Sequence, residues 1–125
     1  MASIAGRVNE QLESLARVRF LTGGEVECIV DTGATCALVL PPSLVAELDL
    51  PIVGDDEELW MVGDERTSAA LALAQIEWLG QVRFAEVIVK DDFIIGTELL
   101  KDARLVVDYP ARTLTISLEE RPNSR

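Results

Sequence analysis

The sequence has no histidine, only two cysteines, few aromatic residues, and 11 lysines and arginines against 22 aspartates and glutamates. Each shortage excludes something. Without imidazole there is no Ser-His-Asp triad, no Cys-His pair and no histidine metal ligand, so proton transfer falls to carboxylates, thiols or lysine. A formal net charge of -11 with no basic run argues against nucleic acid as a partner, because phosphate backbones are bound through basic stripes. No apolar run approaches the roughly 18 residues that a bilayer span requires. The segment Met1-Ala2-Ser3-Ile4-Ala5-Gly6-Arg7 reaches a charge before any signal-type apolar stretch develops. A soluble, cytoplasmic protein with no membrane partner is therefore expected. Cys28 and Cys36 lack C-x-x-C spacing and sit among apolar neighbours, which predicts reduced, buried thiols and neither a disulfide framework nor a metal site. No cofactor is expected.

What is present is enough apolar material for a core: 49% hydrophobic residues in a chain of 125. There is no internal repeat, low-complexity tract or linker, so residues 1–118 read as one domain and 119–125 as a disordered tail. Short apolar runs separated by turn residues predict an all-β chain of about eight to ten strands with one or two short helices, hence a sandwich or partly open barrel. Leu15–Leu21 and Val26–Val30 flank Thr22-Gly23-Gly24 as a hairpin. Cys36–Leu40 ends at Pro41-Pro42, after which Leu44, Val45 and Leu48 share a helical face. The acidic Asp55-Asp56-Glu57-Glu58 reads as a solvated loop. Leu59–Val62 and Ser68–Leu73 flank a polar hairpin tip, and Ala74–Trp78 pairs with Val82–Val89. Phe93-Ile94-Ile95-Gly96 reads as a buried strand end, Thr97 as the N-cap of a short helix, and Leu105–Asp108 with Thr113–Leu118 as a closing hairpin. Trp60 and Trp78 read as core or interface packing rather than stacking platforms, since no basic residues accompany them, and Phe20, Phe84 and Phe93 read as core.

The chemistry concentrates at Val26-Glu27-Cys28-Ile29-Val30-Asp31-Thr32-Gly33-Ala34-Thr35, where an apolar strand delivers one carboxylate to a turn. Gly33 lets backbone amides approach the Asp31 carboxylate, and the Thr32 hydroxyl can fix the loop from its side. Alone, such a triplet is an ordinary Asx turn. Followed downstream by Ile94-Ile95-Gly96 it resembles the catalytic loop and second apolar-apolar-glycine element of the retropepsin-like aspartic peptidases. The segments Leu38-Val39-Leu40-Pro41-Pro42, Val62-Gly63-Asp64-Glu65, Ile76-Glu77-Trp78-Leu79-Gly80 and Ile94–Leu100 look more narrowly like single-domain prokaryotic clan AA aspartic proteases, so the resemblance runs from about Gly6 to Ser117.

That resemblance implies an acid-protease fold and an endopeptidase in which two carboxylates share a proton about 3 Å apart. The chain has one such loop, so a homodimer would supply two copies of Asp31. It further implies that Thr32 bonds into the partner's loop, Gly33 donates its backbone, and Ala34 and Thr35 line the substrate cleft. The hairpin at Met61, Val62, Gly63 and Asp64 would close as a flap on an extended peptide or protein substrate. Ile94, Ile95 and Gly96 would lie behind the loop, Ile95 nearer the substrate. The terminal segments Ile4–Val8 and Thr113–Leu118 are the candidate dimer strands. The chain departs from viral members, which usually carry an acidic residue at Thr35 and a basic one at Thr97, so their ion pair is missing. The competing reading is a dimeric acid-protease-like module that binds peptides or mediates assembly without catalysis.

Overall fold

A computed structural model describes residues 2–60 and 66–118. The hairpin tip with Met61, Val62, Gly63 and Asp64, and the segment 119–125, lie outside the described residues. In chain order the elements are β1 (Ser3–Val8), β2 (Ser14–Phe20), β3 (Glu25–Val30), β4 (Leu38–Leu40), α1 (Pro42–Glu47), β5 (Ile52–Trp60), β6 (Arg66–Trp78), β7 (Gln81–Val89), β8 (Ile94–Ile95), α2 (Thr97–Leu100), β9 (Ala103–Asp108) and β10 (Thr113–Leu118).

Alternation writes most of these strands. In β2, Val18 and Phe20 point inward while Arg17 and Arg19 face water, and in β6 Ala72, Ala74, Ile76 and Trp78 are buried between exposed Gln75 and Glu77. The β6–β7 hairpin turns on two residues, Leu79 (φ 50) and Gly80 (φ 79), between the facing Trp78 and Gln81. Two left-handed residues match the twist of the strands they join. The buried Leu79 side chain offsets the cost of that conformation for a non-glycine residue.

Among the described residues the strands form one sheet in the order β5-β6-β7-β4-β8-β3-β2-β1-β10-β9. An extra pairing of β2 with β6, at Arg19↔Glu77 and Phe20↔Ile76, curls the sheet onto itself as a partly open barrel. Its core gathers Val18, Phe20, Leu38, Leu40, Ile76, Val87, Ile95, Leu99, Leu114 and Ile116. The Trp78 indole donates to the Leu99 carbonyl at 2.9 Å and so ties the end of β6 to α2. No buried side-chain polar atom among the described residues lacks a partner.

Several sequence-based expectations change. The acidic stretch 55–58 belongs to strand β5 rather than to a loop. It lies at an edge of the sheet, where acidic residues discourage further pairing. Ser68–Leu73 and Ala74–Trp78 are parts of one continuous strand, β6, because the alanine-rich register with β7 runs unbroken from Ala70 to Trp78. Phe84 is 60% exposed, since Ala85 and Val87 take the inward positions of β7, and Phe93 is 42% exposed. Phe93 contributes through its carbonyl, which accepts from Ile29 N at 2.9 Å. The candidate dimer strands Ile4–Val8 and Thr113–Leu118 pair with each other within the chain, β1 lying between β10 and β2 and β10 between β1 and β9.

No described helix is long and apolar enough to cross a membrane. The closest backbone approach in the terminal sheet is at Gly6, where a Cβ would stand 2.1 Å from the Leu15 carbonyl oxygen and 2.7 Å from Leu114 Cδ2. Gly6→Ala should therefore cost about 1–3 kcal/mol through overpacking, read as a thermal midpoint several degrees lower. An unchanged midpoint would show that β1 can move away without penalty.

Candidate active site

Asp31 follows the last residue of β3, and its placement comes from the neighbouring β8. The two strands run parallel, Ile29 beside Ile94 and Val30 beside Ile95. Asp31 N donates to the Ile95 carbonyl at 2.9 Å, which extends that ladder by one residue and sets the point where the chain turns away. The Asp31 carboxylate is then held from within the loop: Gly33 N donates to its Oδ1 at 2.9 Å, and Ala34 N donates to the Asp31 carbonyl at 3.1 Å. A Cβ on Gly33 would lie 3.2 Å from that carboxylate oxygen, so glycine gives the amide its close approach.

The loop next wraps around the end of β8. Gly96 N donates to the Ala37 carbonyl at 2.9 Å, Thr97 N to the Ala34 carbonyl at 2.8 Å, and Glu98 N to the Cys36 carbonyl at 3.2 Å. The Thr97 hydroxyl also reaches Ala34 O, at 3.1 Å. The expected N-cap role therefore belongs to Gly96, and the Thr97 side chain fastens the loop to α2 instead. The two elements are joined by neutral hydrogen bonds to one carbonyl. Sequence reasoning missed Ala34 O as that acceptor. The signal was Thr97 itself, a hydroxyl beside a glycine at the start of a helix.

Gly96 occupies the tightest point. Its φ of -96 and ψ of 179 suit any residue, but a Cβ there would sit 2.0 Å from Cys36 O and 2.9 Å from Ala34 O. Space, not backbone conformation, requires glycine. Around this crossing Asp31, Ala34 and Ile94 are half-buried, Thr32, Gly33 and Thr35 are exposed, and Ile95 and Gly96 are buried. Of the two isoleucines, Ile94 is the one that retains accessible surface. The flap residues Met61, Val62, Gly63 and Asp64 lie outside the described residues.

Burial, with a smaller contribution from Glu27, pushes the Cys28 thiol up to about 12, and burial also raises Cys36. Both cysteines are free and neither is activated as a nucleophile at neutral pH. Beside the loop lies a cavity of about 570 Å³ lined by Thr35, Cys36, Leu71, Leu73, Phe84 and Ile88. An ion pair on its wall, Arg83 to Glu98 at 2.8 Å, joins β7 to α2. Asp31 is not on that wall. No cluster of His, Cys, Asp and Glu suited to a metal ion occurs among the described residues.

A carboxylate loop held between β3, β8 and α2 can be compared with solved structures. A retropepsin-like aspartic protease from Rickettsia conorii superposes with a TM-score of 0.62 at 16% identity, covering 92% of this chain and 98% of that one. The fold is retropepsin-like. EIAV protease, solved with the inhibitor HBY-793, matches with a TM-score of 0.61 at 20% identity over 79% of this chain and 97% of its own. No protein-family model and no curated protein matches the sequence. At these identities the retropepsin-like architecture is shared while most side chains differ, and the loop geometry is this chain's own.

Gly96→Ala tests that geometry. The added methyl meets backbone rather than a flexible side chain, so a loss of about 3 kcal/mol or more is expected. Hydrogen exchange should then rise at the amides of Asp31, Gly96 and Thr97 before it rises in β6 and β7. A uniform change across the chain would show that Gly96 acts on global stability alone.

Proposed function

We propose that the protein is an aspartic endopeptidase that works as a twofold homodimer, each chain supplying one Asp31. The observation that carries this reading is the half-buried Asp31, its carboxylate bonded to Gly33 N, in a loop clamped by β8 and α2. The retropepsin-like fold supports it. The single copy of the loop supports the dimer, because a dyad of two carboxyls sharing a proton needs two such loops and one chain supplies one.

In the reaction, a water molecule lies between the two Asp31 carboxyls. The ionised one takes a proton from the water as its oxygen attacks the scissile carbonyl carbon, while the protonated one hydrogen-bonds the carbonyl oxygen. The tetrahedral intermediate collapses with cleavage of the C–N bond, and the leaving nitrogen receives a proton from the dyad. Thr32, exposed at the loop tip, would bond into the partner's loop and fix the separation of the two acids. Ala34, Thr35 and Ile94 would line the cleft for an extended peptide, with Gly33 and Gly96 keeping backbone close to it. The β5–β6 hairpin, through Met61, Val62, Gly63 and Asp64, would close over the peptide, add main-chain hydrogen bonds and exclude water.

Asp31→Asn removes the ionisable group and leaves the Gly33 amide an oxygen to bond. Peptide turnover by the purified protein should fall on the order of 10⁴-fold in kcat, with folding unchanged by circular dichroism. Survival of turnover would overturn the peptidase reading. Peptide binding without turnover across about pH 4 to 7, at concentrations where the dimer forms, would mark the chain as a peptide-binding module. Specific activity should also fall on dilution in step with dimer dissociation, and full activity from a monomer would exclude the shared site.

A further inference from the structure

The β6–β7 hairpin turns an apolar face outward. Ala72, Ala74 and Ile76 of β6 and Ala85 and Val87 of β7 are buried in the core, so the alternate residues Leu71, Leu73, Phe84, Glu86 and Ile88 point the other way. Register sets them in rows, Leu73 across from Glu86 and Leu71 across from Ile88. Phe84 and Glu86 are exposed, and the three aliphatic side chains are half-buried. This face is the floor of the cavity of about 570 Å³ beside the Asp31 loop. Its wall is formed by Thr35 and Cys36, where the chain leaves that loop, and by Glu98 of α2.

Charge at the cavity is uneven. Arg83 is already engaged: its Nη2 donates to Glu98 Oε1 at 2.8 Å and its Nε to the Phe84 carbonyl at 3.3 Å. Among the described residues no hydrogen bond or ion pair engages the Glu86 carboxylate. The cavity therefore presents one uncompensated negative charge set between Phe84 and Ile88, on a chain whose net charge is -11. Such a surface attracts an apolar segment that carries a cation and repels an acidic one. Phe84, Glu86 and Ile88 fall at every second residue of β7, which spaces them about 7 Å apart, the same spacing as alternate side chains in any extended peptide.

We infer that this cavity is a second peptide-binding site, on the outer face of the sheet and apart from Asp31, which takes an extended segment of the pattern apolar-x-basic-x-apolar. The basic side chain pairs with Glu86, and the two apolar ones lie against Phe84 and against Ile88 with Leu71. The pattern reads the same from either end, so both chain directions satisfy it. A second copy of this face would bring its own Glu86 and Glu98 against these carboxylates, and a cationic segment is the better complement. Thr35 belongs both to the cavity wall and to the peptide cleft proposed above, so the two sites adjoin. The natural occupant is therefore the flank of a polypeptide whose scissile segment lies in the cleft. As a selector of substrates the site rests on the peptidase reading. As a peptide-binding site it does not, because Asp31 is not among its lining residues. Contacts this far from the reacting atoms hold substrate and transition state alike, so they act on KM and leave kcat unchanged.

Amide shifts of the isotope-labelled Asp31→Asn chain test the site without turnover. The probes are acetyl-Leu-Ser-Lys-Ser-Phe-amide and the same peptide with glutamate in place of lysine. The lysine peptide should shift the amides of Leu73, Phe84, Glu86 and Ile88, and half-saturate them at a concentration about fivefold below the glutamate peptide. Glu86→Lys should reverse that order, and Phe84→Ser should weaken both peptides alike. Both positions are exposed, and circular dichroism checks that the variants stay folded. With the unmodified chain, a cleavable peptide that carries the pattern on one flank should show a KM about tenfold below that of the same peptide with serines there, at equal kcat. Phe84→Ser should abolish the difference. No shift at these four amides, or equal binding of both peptides, would overturn the site. Shifts that depend on protein concentration with no peptide present would assign the face to a second copy and overturn it as well. Binding of the lysine peptide by a chain that cleaves nothing overturns the peptidase alone, and turnover indifferent to the flank, without shifts at Phe84 and Glu86, overturns this site alone.

Discussion

The site depends on a backbone crossing in which Gly96 passes Cys36 with no room for a side chain between them. That closeness lets Gly96 N reach Ala37 O and both donors of Thr97 reach Ala34 O, while Asp31 N reaches Ile95 O on the other side of the same short strand. Four segments are thus fixed by a two-residue strand: the end of β3, the loop, β4 and α2. Hydrogen bonds of this kind contribute about 1 kcal/mol each. Their value here is geometric, because they hold the carboxylate loop from both ends and leave its tip, Thr32 and Gly33, exposed.

Much of this was legible in the sequence because it rests on short-range rules. The hairpins at Gly23-Gly24 and Leu79-Gly80, the strand that delivers Asp31 and the amide of Gly33 on its carboxylate follow from alternation and turn chemistry. What could not be read depends on partners distant in the chain. Thr97 looks like a helix cap locally, and only the approach of Ala34 turns its hydroxyl elsewhere. Phe84 looks like core by its residue type, but its neighbours Ala85 and Val87 fill the inward positions. The acidic 55–58 stretch has the composition of a loop and becomes a strand because β6 lies beside it. The candidate dimer strands Ile4–Val8 and Thr113–Leu118 lie next to each other because residues more than a hundred positions apart pair, as Ile4 does with Ile116.

The two edges of the sheet differ in charge and regularity. The net charge of -11 disfavours indiscriminate association, and the acidic, irregular β5 reinforces this at one edge. The regular β9 edge is the exception, with one positive and one negative residue spaced evenly about a valine.

The clamp on Asp31 also has a consequence in time. Thr97 and its acceptor Ala34 are 63 residues apart in sequence, and Ile95 is similarly remote from Asp31. During synthesis the carboxylate loop emerges with the first strands, but the residues that shape it appear only after β5, β6 and β7 have been made. Contacts of such long separation close late and slowly. The nascent chain therefore carries Asp31 in an unshaped loop until most of the domain has left the ribosome, and the geometry of that loop arrives together with the completed fold.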